Sequence, residues 1–352
     1  MSPIVDFLQR CRDRRAFSGA AYAFGTSSGL KEQGIVGTLA WDGEPVQADS
    51  LWDLASVTKP IAMLPLMLLL EQGEVCLDDG IAAFLPDYAG TDKANITLRQ
   101  LLTHSGGIPG QQPLYQSAHS KETLLTAVRN LPLRSKPGTR VEYTSQGYMI
   151  LGEIIEKAAG KSLDTVLREL VFEPLGMKDT MFNPPAALAS RAAATEYCPW
   201  RGRLVRGEVH DENAVVLGGV AGHAGLFSTA SDMALLCREL LRCGQIGNGR
   251  LLQHSTLRLM SRNHTSSLNL ARGLGWQAKD ADDSPAGDLF SASSYGHTGF
   301  TGTSIWMDPE KDIFAVLLTN RVHPVRSNMA IKRIRSIYHN LVVLCMEKPE
   351  SR

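Results

Sequence analysis

The chain predicts a mixed α/β fold of the α+β kind: a sheet assembled from strands near both ends, flanked by N- and C-terminal helices, with a mostly helical segment inserted between them. Three observations carry this. Short apolar runs around polar turn signals occur early (GAAYAF, GIVGTLAW), they recur late (TGTSIWMDPEKDIFAVLLTN), and the middle places its apolar residues at helical spacing. The expected division is residues 1–60 and 220–352 for the sheet part and residues 61–219 for the helical insertion.

The elements justify themselves in chain order. MSPIVDFLQRCRDRRAF puts Ile4, Phe7, Leu8 and Cys11 on one helical face, and its charges interrupt the apolar stretch a signal peptide needs. A cytoplasmic protein is the expectation. The connector GTSSGLKEQ reads as a hairpin turn and holds two decoys. Gly25 to Gly29 spells a Gly-x-Ser-x-Gly elbow, but that elbow needs a helix directly after its serine and LKEQG offers a turn. Ser28 and Lys31 spell a Ser-x-x-Lys pair, yet neither would sit on a rigid element.

PIAMLPLMLLLEQG is apolar on all sides, as a buried helix is, with Gly73 as its stop; it is too short to span a bilayer and is interrupted by Pro65. Helical runs follow at ITLRQLLTH, TLLTAVRNL, GYMILGEIIEKAAG and SLDTVLRELVFEPLG. In the third, Tyr148, Leu151, Ile154, Ile155 and Ala158 form one stripe ended by Gly160. Residues 183–220 read as loop, GLFST as a strand and ASDMALLCRELL as a helix. Two strands then meet at Asp308-Pro309-Glu310-Lys311, and residues 329–346 close the chain as a helix.

Composition narrows the partners. Lys plus Arg equals Asp plus Glu at 36 each, so nothing electrostatic points to nucleic acid or an anionic membrane, and the expected partner is a small-molecule or peptide substrate. The six cysteines are scattered, with no zinc spacing, and read as reduced thiols; no metal site is expected.

Three segments carry chemistry. In LASVTKP, Ser56 and Lys59 lie one turn apart at the start of the apolar helix. A serine is a poor nucleophile until a base takes its proton, and a lysine serves only if its surroundings hold it below its free pKa of ~10.4. Alone, the pair reads equally as a helix cap beside a solvent-facing lysine. In EYTSQGY, Tyr143 precedes an amphipathic helix and is either a proton shuttle or a packing residue. In YGHTGFTG, glycines at the edge of an apolar strand let a substrate approach the backbone, or simply make a turn.

In order and separation these segments resemble the three active-site motifs of the serine β-lactamase and penicillin-binding protein superfamily, in its class C β-lactamase-like branch. ITLRQLLTHSGGIPG, FEPLGMKDTMF and GLFSTASDMA are similar to further pieces of that branch, so the resemblance spans roughly residues 18 to 320. It implies an antiparallel β-sheet with flanking helices, an inserted helical domain, and an acyl-enzyme mechanism with no cofactor. Carried over by position, Ser56 would be the nucleophile, with Lys59 and Tyr143 sharing general-base and general-acid duty. The backbone N–H groups of Ser56 and Phe300 would form the oxyanion hole beside His297, Thr298 and Gly299.

Two departures bear on substrate. Ser145 stands where many relatives have Asn, offering a hydroxyl in place of an amide. His297 stands where β-lactamases commonly have Lys, and a histidine of ordinary pKa near ~6.5 is mostly neutral at pH 7. Both favour an ester, amide or peptide over antibiotic hydrolysis. The loop VHDENAVVLGGVAGHAGLFS resembles one in a subgroup that includes D,D-carboxypeptidase-like proteins and muramyl-peptide amidases, and its His210, Asp211 and His223 are expected as a polar cluster at the cleft rim, with His223 near the substrate. His104 reads as structural. A class C type β-lactamase and a weakly catalytic peptidoglycan- or β-lactam-binding sensor are the competing functions.

Overall fold

A computed structural model of the chain describes residues 2–242, 245–246 and 249–347. The central sheet has six strands in the order Gln277–Ala278, Tyr295–Thr298, Ser304–Asp308, Ile313–Thr319, Gly19–Thr26 and Gly29–Gly37, and every neighbouring pair is antiparallel. The N-terminal hairpin is therefore inserted beside a strand from the far end of the chain, with Ala20 opposite Thr319. GTSSG is the tip of that hairpin, with its turn at Ser27 and Ser28, so both decoys fall in a surface connection.

The sheet is buried on both faces, which is why Ile313–Thr319 is a continuous apolar run. Because successive side chains alternate, Ala315 and Leu317 point to one layer while Phe314, Val316 and Leu318 point to the other. The first layer is closed by the terminal helices Pro3–Asp13 and Ile331–Glu347, whose Ile4, Leu8, Tyr338 and Val342 pack on Tyr22, Phe24 and Trp306. The second layer is closed by Ala230–Leu241, through Met233, Leu236 and Cys237, and runs on without a break into the helical region through Ile61, Leu64, Leu151 and Ile154.

Helix ends follow local chemistry. Thr97 and Gln100 form a reciprocal capping box on Leu98–Leu102, and Gly160 ends Gln146–Ala159 at φ 64°. The apolar run after Ser56 is two pieces, Thr58–Ala62 and Leu64–Glu71, divided at Met63 where Pro65 supplies no N–H. Residues 183–220 are not all loop: Ala194–Cys198 pairs with Arg203–Arg206, and Glu212–Val216 is a short helix capped by Asp211. The five described cysteines are free thiols and Cys76 is exposed, while Cys243 lies outside the described residues. Among the described residues no helix is long and apolar enough to cross a membrane.

Asn320 ties the C-terminal end of strand Ile313–Thr319 to the start of its neighbour Gly19–Thr26. Its buried carboxamide accepts from the N–H groups of Ser18 (3.2 Å) and Gly19 (3.1 Å), and its Nδ2 lies within donating distance of Ser18 Oγ, Leu39 O and Ala194 O. Replacing it strands several buried groups at once, each at about 1–3 kcal/mol. Asn320→Ala is expected to lose about 3 kcal/mol or more of unfolding free energy in a urea titration.

Candidate active site

The turn that presents Ser56 is built around Asp53. This buried carboxylate accepts the N–H of Ala55 (2.8 Å) through Oδ1 and the N–H of His210 (2.6 Å) through Oδ2. Ala55 is thereby held at φ 47°, a conformation a non-glycine residue adopts only when its surroundings over-determine it. Ser56 follows in a short 3₁₀ turn, Ala55–Val57, one step before the α-helix rather than on its first turn as the sequence suggested. Helix Thr58–Ala62 then delivers Lys59.

The Lys59 side chain is wholly buried. Its Nζ lies 3.0 Å from Ser56 Oγ, 3.4 Å from Ser145 Oγ and 3.2 Å from the carbonyl oxygen of His223. Ser145 stands just ahead of helix Gln146–Ala159, and Tyr143 two residues earlier has its ring centroid 4.8 Å from Lys59 Nζ. Segments distant in sequence thus converge on one amine.

The facing wall is the strand Tyr295–Thr298 and the turn after it. Two buried hydroxyls pin that turn to the nucleophile segment: Thr301 Oγ1 donates to Asp53 O (2.7 Å) and Thr303 Oγ1 to Leu54 O (2.8 Å). The approach is so close that a Cβ on Gly299 would sit 2.0 Å from Thr303 Oγ1 and 2.4 Å from Leu54 O, so only glycine fits without movement. Among the described residues the Phe300 N–H has no hydrogen-bond partner, and its carbonyl accepts from Arg321 Nε at 2.7 Å. Ser56, Tyr143, His297, Thr298, Gly299 and Phe300 line one cavity of about 310 Å³. Ser145 and His223, expected at the substrate, lie behind Lys59 and are not part of that wall.

The charge of this cavity was missed in the sequence. Arg272, Arg321, Lys332 and Arg335 contribute to its lining and no carboxylate does. Arg272 is 7% exposed, its Nε is unpartnered, and its guanidinium makes no hydrogen bond or ion pair among the described residues. His297 carries no charge to this wall. Burial, then the nearby Lys59 and Arg272, push it well below the ordinary imidazole range. Its Nδ1 is 2.9 Å from Thr298 O, and a carbonyl only accepts, so Nδ1 holds the proton and the unpartnered Nε2 is a bare acceptor. A cation does line this cavity at Arg272, from a segment whose spacing to the motifs carries no signal.

Of the cluster placed at the rim, His210 and His223 are buried and Asp211 is partly exposed. His223 is fully enclosed with Nε2 3.0 Å from Asp211 Oδ1, while the His210 ring stacks on Phe300 at 5.7 Å. His210 Nε2 approaches Glu196 at 3.2 Å without hydrogen-bond alignment. These three do not converge as ligands. Another group, Glu196, Cys198 and Glu212, brings its ligand atoms close together, but Arg326 donates to both carboxylates and fills that role. Burial raises the Glu196 carboxyl and the His210 and Arg326 contacts outweigh it, leaving Glu196 at about 2. His104 packs between Tyr143 (4.5 Å) and Tyr148 (4.8 Å) and accepts the Thr144 N–H, which orients the tyrosine.

Fold and site together define a hydrolase of the β-lactamase/transpeptidase-like class. The beta-lactamase family profile matches residues 6–339, and the chain belongs to that family. A protein of Escherichia coli (strain K12) described as "Putative D-alanyl-D-alanine carboxypeptidase" is 35% identical over 339 residues, covering 84% of this chain and 77% of its own. Among solved structures, EstCE1, described as a hydrolase with promiscuous acyltransferase activity, superposes with a TM-score of 0.79 at 22% identity over 96% of this chain and 97% of its own. The octameric penicillin-binding protein homologue from Pyrococcus abyssi gives 0.75 at 21% identity, over 99% and 78%.

The buried histidines set a pH dependence. Burial lowers the pKa of His104 and His297 well below the ordinary value and that of His339 to about 3. In the unfolded chain they take up protons near pH ~6.5, so below that the unfolded state binds more protons and stability falls as pH falls. Unfolding free energy is expected to drop by about 1 kcal/mol or more per pH unit between roughly pH 6.5 and 5, with a shallower slope in His339→Gln; an equal slope in both proteins would contradict these assignments.

Proposed function

We propose that this protein is a serine acyl hydrolase of the D-alanyl-D-alanine carboxypeptidase type, cleaving the amide bond before a residue that carries a free carboxylate. The observation that carries this reading is the buried, unpaired Arg272 in the same cavity as Ser56. A guanidinium withdrawn from water without a counter-ion is costly, and a substrate carboxylate offsets that cost. The name of the E. coli relative supports the same substrate class.

The geometry supports each step. Ser56 Oγ attacks the scissile carbonyl carbon while its proton passes to the Lys59 and Tyr143 pair, Lys59 Nζ being 3.0 Å from Oγ. The carbonyl oxygen becomes an oxyanion facing the backbone N–H groups of Ser56 and Phe300, whose spacing is held by the Thr301 and Thr303 hydroxyls. The C–N bond breaks as the leaving nitrogen takes the proton back from the same pair. Water then attacks the acyl-enzyme, releasing the acid and restoring Ser56. His297 adds no charge, because burial and the nearby Lys59 and Arg272 keep its imidazole neutral.

Ester hydrolysis is the second reading. The mouth of the cavity exposes Phe300 (45%) and Met329 (51%), an apolar surface suited to an uncharged acyl group. The two are separated by turnover of an N-acyl-D-Ala-D-Ala peptide, its C-terminal amide and a p-nitrophenyl ester by wild type and Arg272→Gln. The free-acid peptide is expected to be preferred over its amide, and Arg272→Gln to lower kcat/KM for the acid by about 30-fold or more with little effect on the ester. Equal turnover of acid and amide would favour the esterase.

A further inference from the structure

We infer that the serine cleft continues into a second substrate subsite for a basic side chain, so that the residue whose carboxylate sits at Arg272 is zwitterionic in reach. This rests on the carboxypeptidase reading and names its leaving residue. Beside the cavity of Ser56 lies another of about 540 Å³, and the two share Arg272, Gln277, Thr298, Lys332 and Arg335 as a common wall. A D-alanine side chain is a single methyl group, too short to occupy a second cavity of this size.

The second cavity is polarised. Its shared wall holds three cations, and none of them is ion-paired with a carboxylate among the described residues. Arg272 and Arg335 are each 7% exposed with an unpartnered Nε, and Arg335 spends its Nη2 on the carbonyls of Gly299 and Thr303. Those Nε atoms are sealed from the cavities, but the Arg272 guanidinium lines both cavities without a carboxylate partner among the described residues, which makes the seam a place for an anion. The remaining lining adds Asp280, Asp282 and Asp283 and no further cation. Asp280 Oδ1 is committed to the Ala271 N–H at 2.8 Å, whereas Asp282 and Asp283 are exposed and have no ion-pair partner among the described residues.

A ligand complementary to both features carries a carboxylate at the seam and an ammonium further out. An α-amino acid residue with an amine-terminated side chain has that chemistry, and a neutral or acidic side chain of the same length does not. Opposite charge on exposed carboxylates is screened within about 10 Å at 0.1 M salt, so the preference should weaken as salt rises.

The test compares N-acetyl-D-Ala-D-Lys, N-acetyl-D-Ala-D-norleucine and N-acetyl-D-Ala-D-Ala as substrates of wild type and of the double variant Asp282→Asn, Asp283→Asn. Both positions are exposed and outside the catalytic constellation, so the D-Ala-D-Ala rate is expected to be unchanged in the variant. In wild type the lysine peptide is expected to exceed the norleucine peptide in kcat/KM by about tenfold at low salt. In the double variant the two should agree within about twofold. Equal rates for lysine and norleucine in wild type, or a preference that survives in the double variant, would overturn the inference. Calorimetric binding of the same peptides to Ser56→Ala, set beside turnover by wild type, keeps the two readings apart: a lysine preference in binding with no peptide turnover by wild type supports the subsite and sinks the carboxypeptidase, and wild-type turnover with no lysine preference in either measurement does the reverse.

Discussion

A lysine amine withdrawn entirely from water is the constraint around which this molecule is arranged. Lys59 Nζ has only oxygen partners, from Ser56, Ser145 and the His223 backbone, and no carboxylate within ion-pair distance among the described residues. Removing an amine from water without such partners would cost several kcal/mol, so each partner has to be held in place by structure outside the site. Asp53 holds the strained Ala55 turn, helix Gln146–Ala159 fixes Ser145, and the close approach of Gly222 to Gly152 seats the His223 loop. The turn at Gly299 and Phe300 is then referenced to the same segment through Thr301 and Thr303, so Ser56, Lys59 and the facing wall share one frame.

That frame explains which parts were legible from residues alone. The terminal helices, the two hairpins of the central sheet and the stripe Tyr148, Leu151, Ile154, Ile155 follow local periodicity, which the structure preserves. Ser56, Lys59, Tyr143 and His297 were found because short motifs keep them near fixed turns. The hairpin Ala194–Cys198 with Arg203–Arg206 was lost because Cys198-Pro199-Trp200 and the surrounding arginines mask any alternation, and its strands pair irregularly. Asp53 was lost for a different reason: its meaning lies in the His210 N–H, which is brought to it only by the folded chain.

Charge was the least legible property. A neutral His297 was expected, and burial beside Lys59 and Arg272 makes it so. The charge of the cavity does not depend on that histidine. Four cationic side chains enter the same cavity from two other segments, Arg272 from ahead of the sheet's edge strand and Arg321, Lys332 and Arg335 from the region leading into the C-terminal helix. The wall therefore carries a neutral imidazole at His297 and a guanidinium to the side at Arg272. The motif position and the charge need not be the same residue.

The central claim, that Ser56 is the nucleophile, is tested most directly by intact-protein mass spectrometry after treatment with a fluorophosphonate, followed by peptide mapping. One adduct per chain on the fragment containing Ser56, absent from Ser56→Ala and strongly slowed in Lys59→Met, is the predicted result. An adduct that persists in Ser56→Ala, or no adduct on wild type under conditions that fully label a control serine hydrolase, would contradict it.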